Sequence, residues 1–259
     1  MTSYKLSFAG AGRVAGALCT ALHSAGHTII RIVSQSPSEG WRLATECKAS
    51  WSKDLNFSEP TDIIIVAVPD NSLEAVLSAI RCSPDTLVVH TAGSIGLDVF
   101  PENFRNRGVF YPLQTFSKER IIDFNELPFL LEASDDQSKH ILENLALSVN
   151  GRVHFVDPDR RRKIHLAAVF VCNFTNHMFT IGQEIASGAG VPFELFAPLI
   201  NETVAKALIN GPYESQTGPA VRNDRNTIAK HMELLSLSPD IQKLYHDVTQ
   251  SILQHHKIC

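Results

Sequence analysis

KLSFAGAGRVAGALCTALHSAG, residues 5–26, is the stretch that decides how this chain is read. Lys5 to Ala9 is a short, mostly apolar run of strand character, and Gly10-Ala11-Gly12-Arg13-Val14-Ala15 follows at once. Val14, Leu18, Ala21, Leu22 and Ala25 then recur at the three- and four-residue steps of a helix with one buried face. Strand, tight glycine turn and helix, in that order, spell G-x-G-x-x-A, the small-third-residue form of the dinucleotide fingerprint. Each small residue has a mechanical reason. Gly10 lets the chain turn sharply off the strand. Gly12 carries no Cβ, so a pyrophosphate can approach the main chain, and Ala15 lets the helix sit close to a sheet, with Gly16 adding room. The helix N-terminus offers N–H groups and the positive end of its dipole to the phosphates. The plain alternative is a structural βα turn that holds no ligand.

Outward from this point, Thr28 to Val33 (TIIRIV) is a second strand rich in β-branched residues, ending at Ser34-Gln35-Ser36-Pro37. An NAD-specific fold places an acid near here for the adenine ribose, roughly 20 residues past the glycines. None is present, while Arg13, Arg31 and Arg42 are near in sequence. The missing carboxylate and the available cations favour NADP, with NAD as the alternative. Ser38 to Lys48 reads as a helix and Ala49-Ser50-Trp51 as a short third strand. Asp62 to Val68 (DIIIVAV) has the unbroken apolar character of a strand covered on both faces. It stops at Pro69-Asp70-Asn71, before a helical pattern of Leu73, Val76, Leu77 and Ile80. Thr86 to Val89 is another strand, running into His90-Thr91-Ala92-Gly93-Ser94.

Strands alternating with helices make a βαβ series, hence a parallel sheet with right-handed crossovers and a ligand mouth beyond the strand C-termini. Gly10–Gly12, Val68–Asn71 and His90–Ser94 are expected to meet there. The strands Val109–Pro112, Pro128–Glu132 and Arg152–Val156 complete the α/β region, with a helix over Asp135–Val149. From Asp157-Pro158, an N-cap acid followed by a first-turn proline, only helical patterns remain. They are interrupted at Gly188–Pro192, at Gly211–Pro219 and near Pro239. The expectation is an N-terminal Rossmann-type domain over residues 1–156 and an all-α domain over 157–259.

Composition narrows the class. The chain has 259 residues, 44% hydrophobic and 19% charged, which is globular rather than disordered. A net charge of −4 with scattered basic residues argues against nucleic acid. The exception is the run Arg160-Arg161-Arg162-Lys163, read as a solvated face. Five well-separated cysteines, Cys19, Cys47, Cys82, Cys172 and Cys259, point to a reduced cytoplasmic setting without a zinc site. Cys259 lacks the residues a prenylation box needs. No leader segment is expected, since the first apolar residues belong to the fingerprint strand. No apolar run looks long enough to span a bilayer, so no membrane is expected.

Further residues could carry chemistry. The helix from Pro158 to about Ser187 is too apolar for a surface helix, and Asn173, Asn176, His177 and Thr180 stripe it, with His165 upstream. Such a stripe must face a partner helix, water or a wet cleft, since unpaired buried polar groups cost about 1 to 3 kcal/mol each. Thr217 to Asp224 joins Gly218, a helix start and Arg222, a group suited to an anionic substrate. Equally, Asp224 could cap its own helix. His90 at a strand end could act as a general acid, or be a satisfied structural residue. Ser94 could bond the nicotinamide amide or a substrate carbonyl.

Taken together, GAGRVA, the VPD after the fourth strand, HTAGS, YPLQTF (Tyr111 to Phe116) and TGPAVRND…H resemble a known family. It is the NADP oxidoreductases built from a Rossmann-like domain followed by an all-helical domain of unknown function. They sit in the wider group of pyrroline-5-carboxylate reductases, 6-phosphogluconate dehydrogenases and F420-dependent NADP reductases. The resemblance implies hydride transfer with NADP(H) in an interdomain cleft, on a small carbonyl, imine or hydroxyacid, in a homodimer built through the helical domains. The residues themselves place cofactor contacts at Gly10, Ala11, Gly12, Arg13, Val14, Ser34, Gln35, Ser36, Val68, Pro69, Thr91 and Gly93. Substrate contacts would come from His90, Gly218 and Arg222, and catalysis from Ser94, His165, Asn173 and Lys163. Lys163 and Asn173 are spaced more widely than the hydroxyacid dehydrogenase pattern; His165 and Asn173, in H-x-A-A-x-F-x-x-N, are the favoured pair. The rival readings are an NADPH:F420 reductase and a non-catalytic NADP(H)-binding sensor.

Overall fold

The computed structural model describes residues 2–117 and 120–258, so Cys259 lies outside the described residues. The chain forms two compact units, Met1–Asn173 and Phe174–Cys259. In the first, β1 (Lys5–Ala9), β2 (Thr28–Val33), β3 (Ser50–Ser52), β4 (Ile63–Val66), β5 (Leu87–His90), β6 (Arg107–Pro112), β7 (Pro128–Ala133) and β8 (Arg152–Phe155) form one sheet. Their spatial order is β3-β2-β1-β4-β5-β6-β7-β8. Every neighbouring pair is parallel except β6 and β7. That antiparallel pair is a departure from the wholly parallel sheet expected. Among the described residues no helix lies between the two strands, and a crossover to a parallel neighbour needs about a dozen residues and usually a helix.

The helices α1 (Arg13–Ser24), α2 (Pro37–Glu46), α3 (Asp70–Ala79) and α4 (Asp136–Ser148) serve this sheet. The run in β4 behaves as its composition demands. Ile63 and Ile65 join one buried cluster with Leu18 and Leu22 of α1, while Ile64 and Val66 join another with Leu73 and Leu77 of α3. Burying each such side chain contributes about 1.5–3 kcal/mol. The sheet order reverses between β1 and β4, where a doubly wound sheet opens its crevice.

α5 (Pro158–Ala168) begins where the strands end, with Asp157 accepting from the Arg160 amide at 2.8 Å. It belongs to the first compact unit, and one side chain explains why. Arg161, in a run read as solvated, is fully buried; its guanidinium bonds Glu132 of β7 at 2.6 Å and the Ile95 carbonyl at 2.7 Å. A π-turn over Val169–Phe174 interrupts the helical run before α6 (Thr175–Gly188).

The second unit continues with α7 (Ala197–Asn210), α8 (Arg225–Leu234) and α9 (Pro239–His255). Tyr245 of α9 meets His231 of α8, Oη to Nδ1, at 2.9 Å. In the long helix Asn173, Asn176, His177 and Thr180 are exposed, and so are Phe170, Val171 and Phe174 beside them, although the helix reads as too apolar for a surface. Moreover, the helical run Pro158–Gly188 is long and apolar enough to cross a membrane, with a mean hydropathy of 1.3 in its most apolar window. The polar residues in that window are uncharged asparagine, threonine and histidine, so its average stays high. This overturns the expectation that no such run exists, by length and composition only.

Candidate active site

The fingerprint turn is built as its residue types require. Gly10 has φ +121°, and a Cβ there would overlap the Ala67 carbonyl, because the chain leaving β4 runs directly beneath it. Gly10 N–H bonds the Val33 carbonyl at 2.7 Å, and Ala67 N–H bonds that of Ala9 at 2.8 Å, locking the ends of β1, β2 and β4 together. Gly12 is the opposite case. It occupies the N-cap of α1 with no side-chain cap, and no described residue lies within 4 Å of where its Cβ would be. The helix therefore presents uncapped N–H groups to open space, the arrangement an anion needs. Among the described residues no side chain plugs it, so they fit a dinucleotide pyrophosphate.

A cavity of about 350 Å³ extends from this turn, lined by Ala9–Gly12, Val33–Ser36, Glu39, Leu55, Ala67–Pro69, Ser72 and Val76. The structure thus brings Gly10, Ala11, Gly12, Ser34, Gln35, Ser36, Val68 and Pro69 to one place. Arg13 is exposed beside it, and Val14 is half-buried on α1. Gly40 has no side chain because Trp51 and Ser34 fill that space, and the Trp51 indole bonds Ser34 Oγ at 3.1 Å. The cations divide. Arg31 is spent on Glu59 and the Asn56 carbonyl, and Arg42 on Glu46 at 2.7 Å and Glu39 at 3.5 Å. Arg13 alone of the three has no acidic partner among the described residues.

A second group lies after β5. Thr91 N–H bonds the Val66 carbonyl, and Ser94 Oγ donates to Asp70 at the start of α3 at 2.8 Å. Gly93 is buried under two rings: a Cβ on it would stand 2.6 Å from Nδ1 of His165 and 2.8 Å from Cζ of Tyr111. Those rings bond each other, Tyr111 Oη to His165 Nδ1, at 3.0 Å. Burial, and then the charge of Asp70, raises the pKa of the Tyr111 hydroxyl. Gly93, Ser94 and His165 therefore come together.

Other expected residues lie elsewhere. His90 sits inside the fold, 0% exposed, with Nδ1 accepting from the Ala92 amide and Nε2 donating to the Gly96 carbonyl. Burial depresses its pKa to about 4, so it is a neutral structural histidine rather than a substrate contact. Lys163 is exposed without a hydrogen bond or ion pair among the described residues, and Asn173 lies in the π-turn without a bond to His165. In the second unit Gly218 has φ +109°, and Arg222 is exposed in turns that precede α8 rather than on its first turn. Asp224 caps that helix, accepting from the Thr227 amide at 3.1 Å and its hydroxyl at 2.7 Å. The chain's own carboxylate thus takes the anion position proposed for a substrate.

Tyr111 and Arg161 carry no site role on sequence grounds alone, and Asp70 is expected only as part of the Val68–Asn71 segment at the mouth. The available signals were single polar residues in apolar strands: Tyr111 in RGVFYP and Glu132 in PFLLEA.

A doubly wound sheet with an open, uncapped turn at its switch point, beside a hydrogen-bonded tyrosine–histidine pair, is an architecture that nicotinamide-dependent oxidoreductases use. Residues 5–93 match the family model "NADP oxidoreductase coenzyme F420-dependent", and residues 127–252 match "Domain of unknown function (DUF2520)". The putative NADP oxidoreductase BF3122 of Bacteroides fragilis is 37% identical over 98% of each chain, with a TM-score of 0.89. The chain belongs to this NADP oxidoreductase family. Protein TM1727 of Thermotoga maritima is 20% identical over 97% of this chain and 98% of its own, with a TM-score of 0.72. A pyrroline-5-carboxylate reductase of Coxiella burnetii is 16% identical over 99% and 98%, with a TM-score of 0.59. These two likenesses speak to fold alone. No curated protein matches the chain.

Proposed function

We propose that the chain moves a hydride between NADP(H) and a small carbonyl, imine or hydroxyacid, with His165 handling the accompanying proton. The observation that carries this is the open main chain at Gly12, at the N-terminus of α1 and the mouth of a cavity sized for a ligand. Bound NADP(H) supplies or takes the hydride. The residues of the chain do the rest. The amides of α1 hold the pyrophosphate, and Ser34, Ser36 and Arg13 receive a 2′-phosphate where NAD enzymes carry an acid. Ser94 anchors the polar side of the ring end, and His165 gives or takes the proton on the reacting heteroatom.

A fluorescence titration with NADPH, followed by a panel of carbonyls and imines, tests this. His165→Ala should keep cofactor affinity and lose turnover; equal loss of both would reassign His165 to structure. The match of residues 5–93 to an F420-dependent model supports a second reading, a deazaflavin as the partner in hydride exchange. Assaying a deazaflavin acceptor separates the two. Binding without turnover on any substrate would favour the sensor.

We also propose a cytoplasmic homodimer through the helical region, supported by the exposure of Leu208, Ile209, Leu234 and Leu237. Sedimentation of the detergent-free protein as a monomer would count against it.

A further inference from the structure

We propose that Tyr111 is the positioning residue of the acid–base group: its hydroxyl oxygen accepts the Nδ1–H of His165 and so reserves Nε2 as the nitrogen that exchanges a proton with substrate. The inference rests on the reading of His165 as the proton-handling group.

Geometry carries it first. The two side chains are 3.0 Å apart at Oη and Nδ1, with rings edge-on at 68°. Among the described residues nothing else bonds the imidazole, so Nδ1 is committed and Nε2 is not. Both supports are rigid. Tyr111 stands in β6, between β5 and β7, and His165 lies one turn beyond Arg161, whose buried guanidinium ties α5 to the Ile95 carbonyl and Glu132. Residues four apart share a helix face. Arg161 and His165 therefore address the same loop, Gly93–Ile95, from two points. Gly93 completes the fit, because any side chain there would enter the space of both rings.

Proton balance sets which partner donates. In reduction, a hydride reaches the carbon of C=O or C=N, and the proton leaving Nε2 of the imidazolium reaches the heteroatom. The ring ends neutral only if Nδ1 keeps its proton, so the atom facing Nδ1 must accept. In oxidation the same arrangement leaves the Nε2 lone pair free to take the proton. A tyrosine hydroxyl can accept while remaining protonated. Burial, and then the negative charge of Asp70, favour this by holding Tyr111 neutral.

The test is nitrogen-15 NMR of the imidazoles in the nucleotide-free protein, with His165→Gln to assign the signals. The expected result is neutral His165 protonated at Nδ1 in the wild type, and loss of that preference in Tyr111→Phe with a retained circular-dichroism spectrum. A wild-type ring protonated at Nε2 would overturn the proposal, as would an unchanged tautomer in Tyr111→Phe. Should Tyr111→Phe fail to fold, Gly93→Ala forces the rings apart and must produce the same loss; an unchanged tautomer in that variant refutes the proposal equally. An NADPH titration run alongside separates the two readings. A wild type that binds no NADPH ends the redox reading, and the tautomer is decided by the spectra alone.

Discussion

The two glycines of the fingerprint should fail in opposite ways, and that contrast examines the site directly. At Gly10, φ is +121°, and an added Cβ meets the Ala67 carbonyl. Gly10→Ala therefore carries about 1–2 kcal/mol of backbone strain and about 1–3 kcal/mol of overpacking. The Ala67 carbonyl is the group that must shift. A total of about 3 kcal/mol corresponds to roughly 10 °C in Tm for a chain of this size. At Gly12 no described residue lies within 4 Å. Gly12→Val forfeits only an N-cap preference of about 0.5–1 kcal/mol, but it fills the space the pyrophosphate needs. The expected loss is at least about 100-fold in NADPH affinity, since each tenfold is about 1.4 kcal/mol.

The assay is convenient, because the chain's two tryptophans, Trp41 and Trp51, stand 5.4 Å apart beside Ser34 in the first unit. Their emission follows unfolding of that unit alone, and quenching follows nucleotide binding. Gly12→Val with wild-type NADPH affinity, or Gly10→Ala with an unchanged melting point, would refute the reasoning.

Buried His90, with its pKa near 4 against about 6.5 unfolded, makes the fold acid-sensitive. Between these values the unfolded chain binds the proton and the native chain does not, so stability falls as pH drops, by about 3 kcal/mol for this group. Urea unfolding at pH 7 and pH 4.5 should show that loss shrink in His90→Gln; an equal loss in both proteins would assign it elsewhere. Arg161→Met leaves Glu132 without its partner in a side chain only 16% exposed. It should cost about 3–5 kcal/mol in urea unfolding, with most of it recovered by adding Glu132→Leu. Additive losses would show that the two residues do not act as a pair.

Residues 5–26 were sufficient for the strand, the turn and the first helix, because each rests on local chemistry: a positive φ only glycine tolerates, a missing Cβ, a helical repeat of apolar side chains. The unbroken apolar run of β4 likewise announced a strand with both faces covered. Nothing local distinguishes Arg161 from Arg160 or Arg162. Helix phase alone turns it inward, and only there does Glu132, 29 residues earlier, wait for it. The settings of His90 and His165 were hidden for the same reason. One lies within the sheet, where burial keeps it neutral and both nitrogens are used; the other meets Tyr111 from 54 residues away. Short-range sterics are written in the order of residues. The partners of buried charges and of ring nitrogens exist only once distant segments have been brought to within hydrogen-bond reach, because that bond's energy is gone beyond a few ångströms.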